Sequence, residues 1–142
     1  MIEEVCARIG RVRPSSERRW GTLTPAEMVC HLADSYIAML GERPTSPAQT
    51  AFMRTVGRWV ALHTSLPWPK GVPTRPEVDP RRAGTQPAEF ERDRDALIVL
   101  VRRFAEPDAR YAAHPIFGPL TRDEWLVWGY RHSDHHLRQF GH

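Results

Sequence analysis

Thr121-Arg122-Asp123-Glu124-Trp125-Leu126-Val127-Trp128-Gly129-Tyr130-Arg131-His132-Ser133-Asp134-His135-His136-Leu137-Arg138-Gln139-Phe140 reads as one long helix. Thr121 suits the cap position, and Glu124 stands three residues on, where its carboxylate can return to the cap's N–H. The helix is expected to run to about Phe140, before Gly141. Its second half carries three histidines, so this one stretch sets both an element of the fold and a candidate site.

The same start recurs at Thr24-Pro25-Ala26-Glu27, with Pro25 at the first helical position. That helix should continue to Gly41, keeping Met28, Leu32, Ser35 and Met39 on one stripe with His31 at its edge. Ile2, Val5, Ile9 and Val12 recur at helical spacing and predict a helix over 2–12, closed by Pro14-Ser15-Ser16. Further helices are expected over 49–63, with Phe52, Val56, Trp59, Val60 and His63, and over 88–104. In the latter, Phe90, Leu97, Val101 and Phe104 share a face, and Arg92, Asp93, Arg94 and Asp95 lie mostly on the other. Between these two, Pro67, Pro69, Pro73, Pro76, Pro80 and Pro87 exclude both helix and central strand. No alternating run marks a strand. The fold expected is all-α: a single domain over 1–142, four or five helices with one long proline-rich crossover.

Composition narrows the function classes. A hydrophobic fraction of 41% over 142 residues is that of a globular chain. No apolar run has the length, about 18 residues, of a membrane span. The acidic, amphipathic start Met1-Ile2-Glu3-Glu4-Val5 is unlike a secretory signal, so a cytoplasmic location and no membrane partner are expected. Cys6 and Cys30 form no CxxC pair and read as small buried hydrophobes. The net charge is +3, and of 20 basic residues all but Lys70 are arginine. Arg18-Arg19, Arg81-Arg82 and Arg102-Arg103 are isolated pairs among acids, a solvated surface rather than a nucleic-acid patch.

His132 and His136 stand four apart, hence on one helix face about 6 Å apart along the axis. Two imidazoles so placed can converge on one divalent ion. His132 and His135, three apart, also fit, but the adjacent His135 and His136 point about 100° apart and cannot readily share one ion. A helical pair gives two ligands, and a catalytic site needs a third from the protein. His31, mid-helix near an inward stripe, is the best candidate. Asp34, one turn on, is a further ligand or a partner that orients a ring through its free N–H; Asp134 and Gln139 suit the same orienting role. A lone histidine is ordinarily a hydrogen-bonded structural residue, and the crowding of this run is what favours metal. His63 and His142 read as surface residues, and His114, before Pro115, as a loop residue near the bundle end. Trp125 and Trp128, one and two turns before His132, either pack the core, their ordinary role, or wall a substrate pocket.

The chain resembles the DinB superfamily, specifically an uncharacterised DinB/YfiT-like subfamily. The resemblance lies in Trp20-Gly21-Thr22-Leu23-Thr24-Pro25-Ala26-Glu27-Met28, His31-Leu32-Ala33-Asp34-Ser35, Pro67-Trp68-Pro69-Lys70-Gly71 and His114-Pro115-Ile116-Phe117-Gly118-Pro119-Leu120-Thr121. It is strongest in His132-Ser133-Asp134-His135-His136, followed by Arg138 and Gln139. Leu137 departs from the pattern, where many members read His-Arg directly; the ligands are intact, but a specific thiol does not transfer. The resemblance implies a four-helix bundle with a long crossover between its second and third core helices, where the 49–63 helix would be an extra. It implies zinc or nickel on three histidines, which by position are His31, His132 and His136, with His135 beside them. Relatives of known activity are transferases and isomerases using low-molecular-weight thiols such as bacillithiol or mycothiol, and many form homodimers.

The leading expectation is therefore a metal-dependent enzyme, a thiol-dependent S-transferase or a hydrolase acting on a small molecule. Arg131 and Arg138 are candidates for recognising an acidic group. The competing expectation is a non-catalytic metal-binding or stress-response protein whose three-histidine site is structural or empty.

Overall fold

Two of the helix starts form as local chemistry dictates. In the computed structural model, which describes all of residues 1–142, the Thr24 hydroxyl accepts from Glu27 N–H at 3.1 Å, and the Glu27 carboxylate accepts from Thr24 N–H at 3.3 Å. Thr121 and Glu124 repeat the pair at 3.3 and 2.9 Å. Each box satisfies N–H groups that no helical carbonyl can reach.

Five α-helices follow in chain order: α1 (Ile2–Arg11), α2 (Pro25–Met39), α3 (Arg58–His63), α4 (Phe90–Phe104) and α5 (Arg122–Arg138). A π-helical turn, Met53–Gly57, leads into α3, and a 3-10 turn, Pro76–Val78, lies in the proline-rich stretch. There are no strands, only an isolated bridge between His114 and Gly118. The protein is all-helical. The long connection from α2 to α4 holds α3 and the prolines. Helix 88–104 starts slightly late, at Phe90, because Glu89 caps it, its carboxylate accepting from Glu91 N–H and Arg92 N–H.

Helices α1, α2, α4 and α5 pack around a common apolar core of Val5, Ile9, Met28, Leu32, Tyr36, Leu97, Val101, Phe104, Trp125 and Leu137. Burying each such side chain contributes about 1.5–3 kcal/mol. Helix α2 is the central element. Ten of its fifteen residues are buried, because α4 and α5 cover one side and the Pro76–Val78 turn the other. Gly129 lets α5 approach: a Cβ there would lie 3.1 Å from a Phe104 ring carbon. Tyr36 fills the same junction, its hydroxyl donating to Gly129 C=O at 2.9 Å and meeting the Ser133 hydroxyl at 2.7 Å.

The crossover is tied at both ends. Arg58 grips Glu124 with two bonds, at 2.8 and 2.5 Å, and His63 adds a third at 3.0 Å, fixing α3 to the start of α5. His63 is thus half-exposed but engaged. Asp34, buried in α2, holds the other end: its oxygens accept from Thr85 N–H at 2.6 Å and Thr85 Oγ1 at 2.7 Å, and Arg43 pairs with it at 2.8 Å. Both cysteines are free and buried.

Candidate metal centre

Helix α2 contributes His31 and helix α5 contributes His132 and His136. Their Nε2 atoms converge: His31 lies 3.3 Å from His132 and 3.1 Å from His136, and ligating atoms of all three fall within 4.8 Å of one another. Nitrogen ligands at 2.0–2.1 Å from one tetrahedral ion stand about 3.3 Å apart. The spacing is that of a ligand set.

Proton positions follow from the partners. His31 Nδ1 sits 2.8 Å from the Val78 carbonyl, which can only accept, so Nδ1 carries the proton and Nε2 a bare lone pair. His136 Nδ1 donates likewise to Gln139 Oε1 at 2.7 Å. Burial pushes the pKa of His31 down and those of His132 and His136 well down, so all three rings are neutral. Two bare lone pairs facing each other at 3.1 Å repel unless a cation lies between them. His132 Nδ1, buried and without a partner, is the one orphaned polar atom of the cluster. The donor set fits a divalent transition-metal ion, for which neutral imidazole is a preferred ligand.

The residues expected to orient the rings divide. Gln139 holds His136, and Gly21 makes room for it: with φ +82, a Cβ at Gly21 would meet the Gln139 amide at 2.6 Å. Asp34 does not serve this role, because its carboxylate is consumed by Thr85 and Arg43. Asp134 does not either: Arg8 and Arg138 bind it at 2.7 and 2.9 Å. His135 turns away from the cluster, as its helical position requires, and sets its ring against Trp20 with centroids 4.8 Å apart.

The two expected pocket tryptophans also divide. Trp125 is a core residue, 1% exposed, stacked on Tyr111 at 5.4 Å. Trp128 is buried too, but its ring lies 4.8 Å from His132 and braces it. Arg131 does not face a substrate. It donates to the carbonyls of Ala61 and Thr64, both at 2.6 Å, and of Leu66, closing the C-terminal end of α3. Arg138 is taken by Asp134. His114 is buried: its Nδ1 accepts from Ile116 and Phe117 N–H at 3.0 and 3.1 Å, its ring stacks on Phe117, and burial lowers its pKa to about 3. It organises a turn.

Sequence reading missed three contributors. The Val78 carbonyl carries no side-chain signal. Trp20 and Trp68 come from distant loops, and only folding sets them beside His135, with Trp68 also 6.2 Å from His132. His31 is buried, whereas His132 and His136 keep partial exposure, so the cluster lies at the edge of the core. A groove lined by Glu3, Cys6, Ala7, Asp95 and Arg102 between α1 and α4 contains none of these histidines.

Fold and site together define an all-helical protein in which three histidines can hold a metal ion. All of it, residues 1–142, matches the family described as Protein of unknown function (DUF1569), and the chain belongs to that family. No curated protein and no solved structure matches it. No helix is long and apolar enough to cross a membrane.

Proposed function

We propose that this protein is a metal-dependent enzyme of DinB-like type that binds zinc or nickel on His31, His132 and His136 and transfers or hydrolyses a small substrate using a thiol or water. One observation carries the reading: three neutral imidazoles from two helices bring their Nε2 atoms together at the partly exposed edge of the core, two of them with the proton held on Nδ1. Four helices around one core, with a long crossover between α2 and α4, support a bundle of that type.

A bound divalent cation supplies Lewis-acid chemistry, lowering the pKa of a thiol or water so that its anion exists at neutral pH. The chain's own residues do the rest. Val78 and Gln139 hold two rings in the ligating tautomer, and Trp128 braces the third. With three protein ligands, His31, His132 and His136, a bound ion would keep room for an exogenous molecule, as catalytic rather than structural sites do.

The test is thiol transfer to an electrophile. Zinc- or nickel-loaded protein is incubated with monochlorobimane and, in turn, cysteine, glutathione, mycothiol and bacillithiol. Adduct formation faster than the uncatalysed rate, abolished by chelation and by His136→Ala, is expected with at least one thiol. If no thiol is accelerated and no ester is hydrolysed by the loaded protein, the enzymatic reading falls.

A further inference from the structure

The segment Pro67-Trp68-Pro69-Lys70-Gly71 has no part in the ligand set, yet it is anchored beside it. Trp68 Nε1–H donates to the Ala61 carbonyl at 3.0 Å, and the Arg131 guanidinium lies 5.6 Å from its ring centre. The ring then stands 6.2 Å from His132 and 6.3 Å from His135. Gly71, at φ +76, turns the chain directly after Lys70. This places the Lys70 ammonium 4.9 Å from the ring centre of Trp20, which itself packs on His135.

Lys70 is the chain's one lysine, and no Asp or Glu occurs between Glu42 and Glu77. Arg131 and Arg138 of α5 are committed, the first to carbonyls of α3 and the loop after it, the second to Asp134. An ammonium resting on an indole face still has N–H donors directed away from the ring for another partner.

We propose that Lys70, seated on Trp20 beside His135, is the anion-recognising residue at the mouth of the metal centre, and that the molecule taken there is a small one bearing a carboxylate or a similar negative group. The inference rests on the metal-centre reading above and names its substrate class. Trp20 and Trp68 supply the apolar walls, and Lys70 the charge that selects.

Calorimetry on zinc-loaded protein, with metal content measured for every sample, compares 6-mercaptohexanoate with 6-mercaptohexanol. The wild type should prefer the acid about three- to fivefold, the worth of one partly exposed ion pair. Lys70→Ala should abolish that preference while leaving the alcohol's affinity unchanged, Lys70→Arg should retain it, and Lys70→Glu should invert it. Hexanoate against hexanol on metal-free protein, read by tryptophan emission, reports the same preference without metal. A sample that takes up no zinc but keeps a Lys70-dependent preference upholds this proposal and sinks the metal reading. Equal affinity of acid and alcohol in both arms, or a preference that survives Lys70→Ala, overturns it.

Discussion

Nε2 of His31 and Nε2 of His136 face each other across 3.1 Å, 105 residues apart in the chain. Each ring has its other nitrogen tied to an oxygen, Val78 C=O for one and Gln139 Oε1 for the other. Both facing nitrogens are therefore acceptors, and a shared cation would resolve their repulsion.

Removal of an orienting partner should weaken that cation's hold without removing a ligand. Gln139→Ala frees the His136 ring and should lower zinc affinity about 10–100-fold. Competition with a chromophoric chelator measures it. An unchanged affinity would show that Gln139 does not orient the ring.

Gly21→Ala should act on the same bond from a distance. The added Cβ would press the Gln139 amide at 2.6 Å, on a backbone of positive φ. Zinc affinity should fall, in the direction set by Gln139→Ala, and the double variant should be no weaker than the single Gln139→Ala, because both act through one contact.

Asp34→Ala should destabilise the fold by about 2 kcal/mol or more, because Thr85 N–H and Arg43 lose a buried acceptor. Urea unfolding of metal-free protein measures this. Had Asp34 been a ligand or ring partner, the loss would appear in zinc affinity of the folded protein instead.

Glu124 sets an acid limit to stability. Hydrogen bonds from Arg58, followed by those from His63 and Thr121, outweigh burial and hold its pKa at about 2 rather than the ordinary 4.5. The unfolded chain binds this proton more readily than the folded one, so the contribution is complete above pH 4.5 and is lost as pH falls toward 2. The shift corresponds to ~3 kcal/mol at most. Glu124→Gln should be less stable than wild type at pH 7, with the gap closing between pH 4.5 and 2 by urea titration.

Much of the fold was legible because its signals are local. The boxes at Thr24 and Thr121 begin α2 and α5, and the prolines from Pro67 to Pro87 forbid α-helix where only a 3-10 turn forms. The π turn before α3 was not legible, since Met53 to Gly57 keep ordinary helical composition. In the site, four-residue spacing on one helix pointed to His132 and His136, and the inward stripe of α2 to His31. Residues whose role depends on a distant partner were not settled by local spacing. Asp34, one turn from His31, suited a ligand or a ring-orienting partner, but Thr85, far along the chain, claims it. Trp125 left core packing and a pocket wall both open, and Phe104 and Tyr111 enclose it in the core.

Metal content after equilibrium dialysis against zinc or nickel tests the central claim most directly. The wild type should retain about one equivalent per chain, and His31→Ala and His136→Ala, each folded by circular dichroism, far less. Retention of less than about a tenth of an equivalent by the wild type, or full retention by both variants, would contradict it.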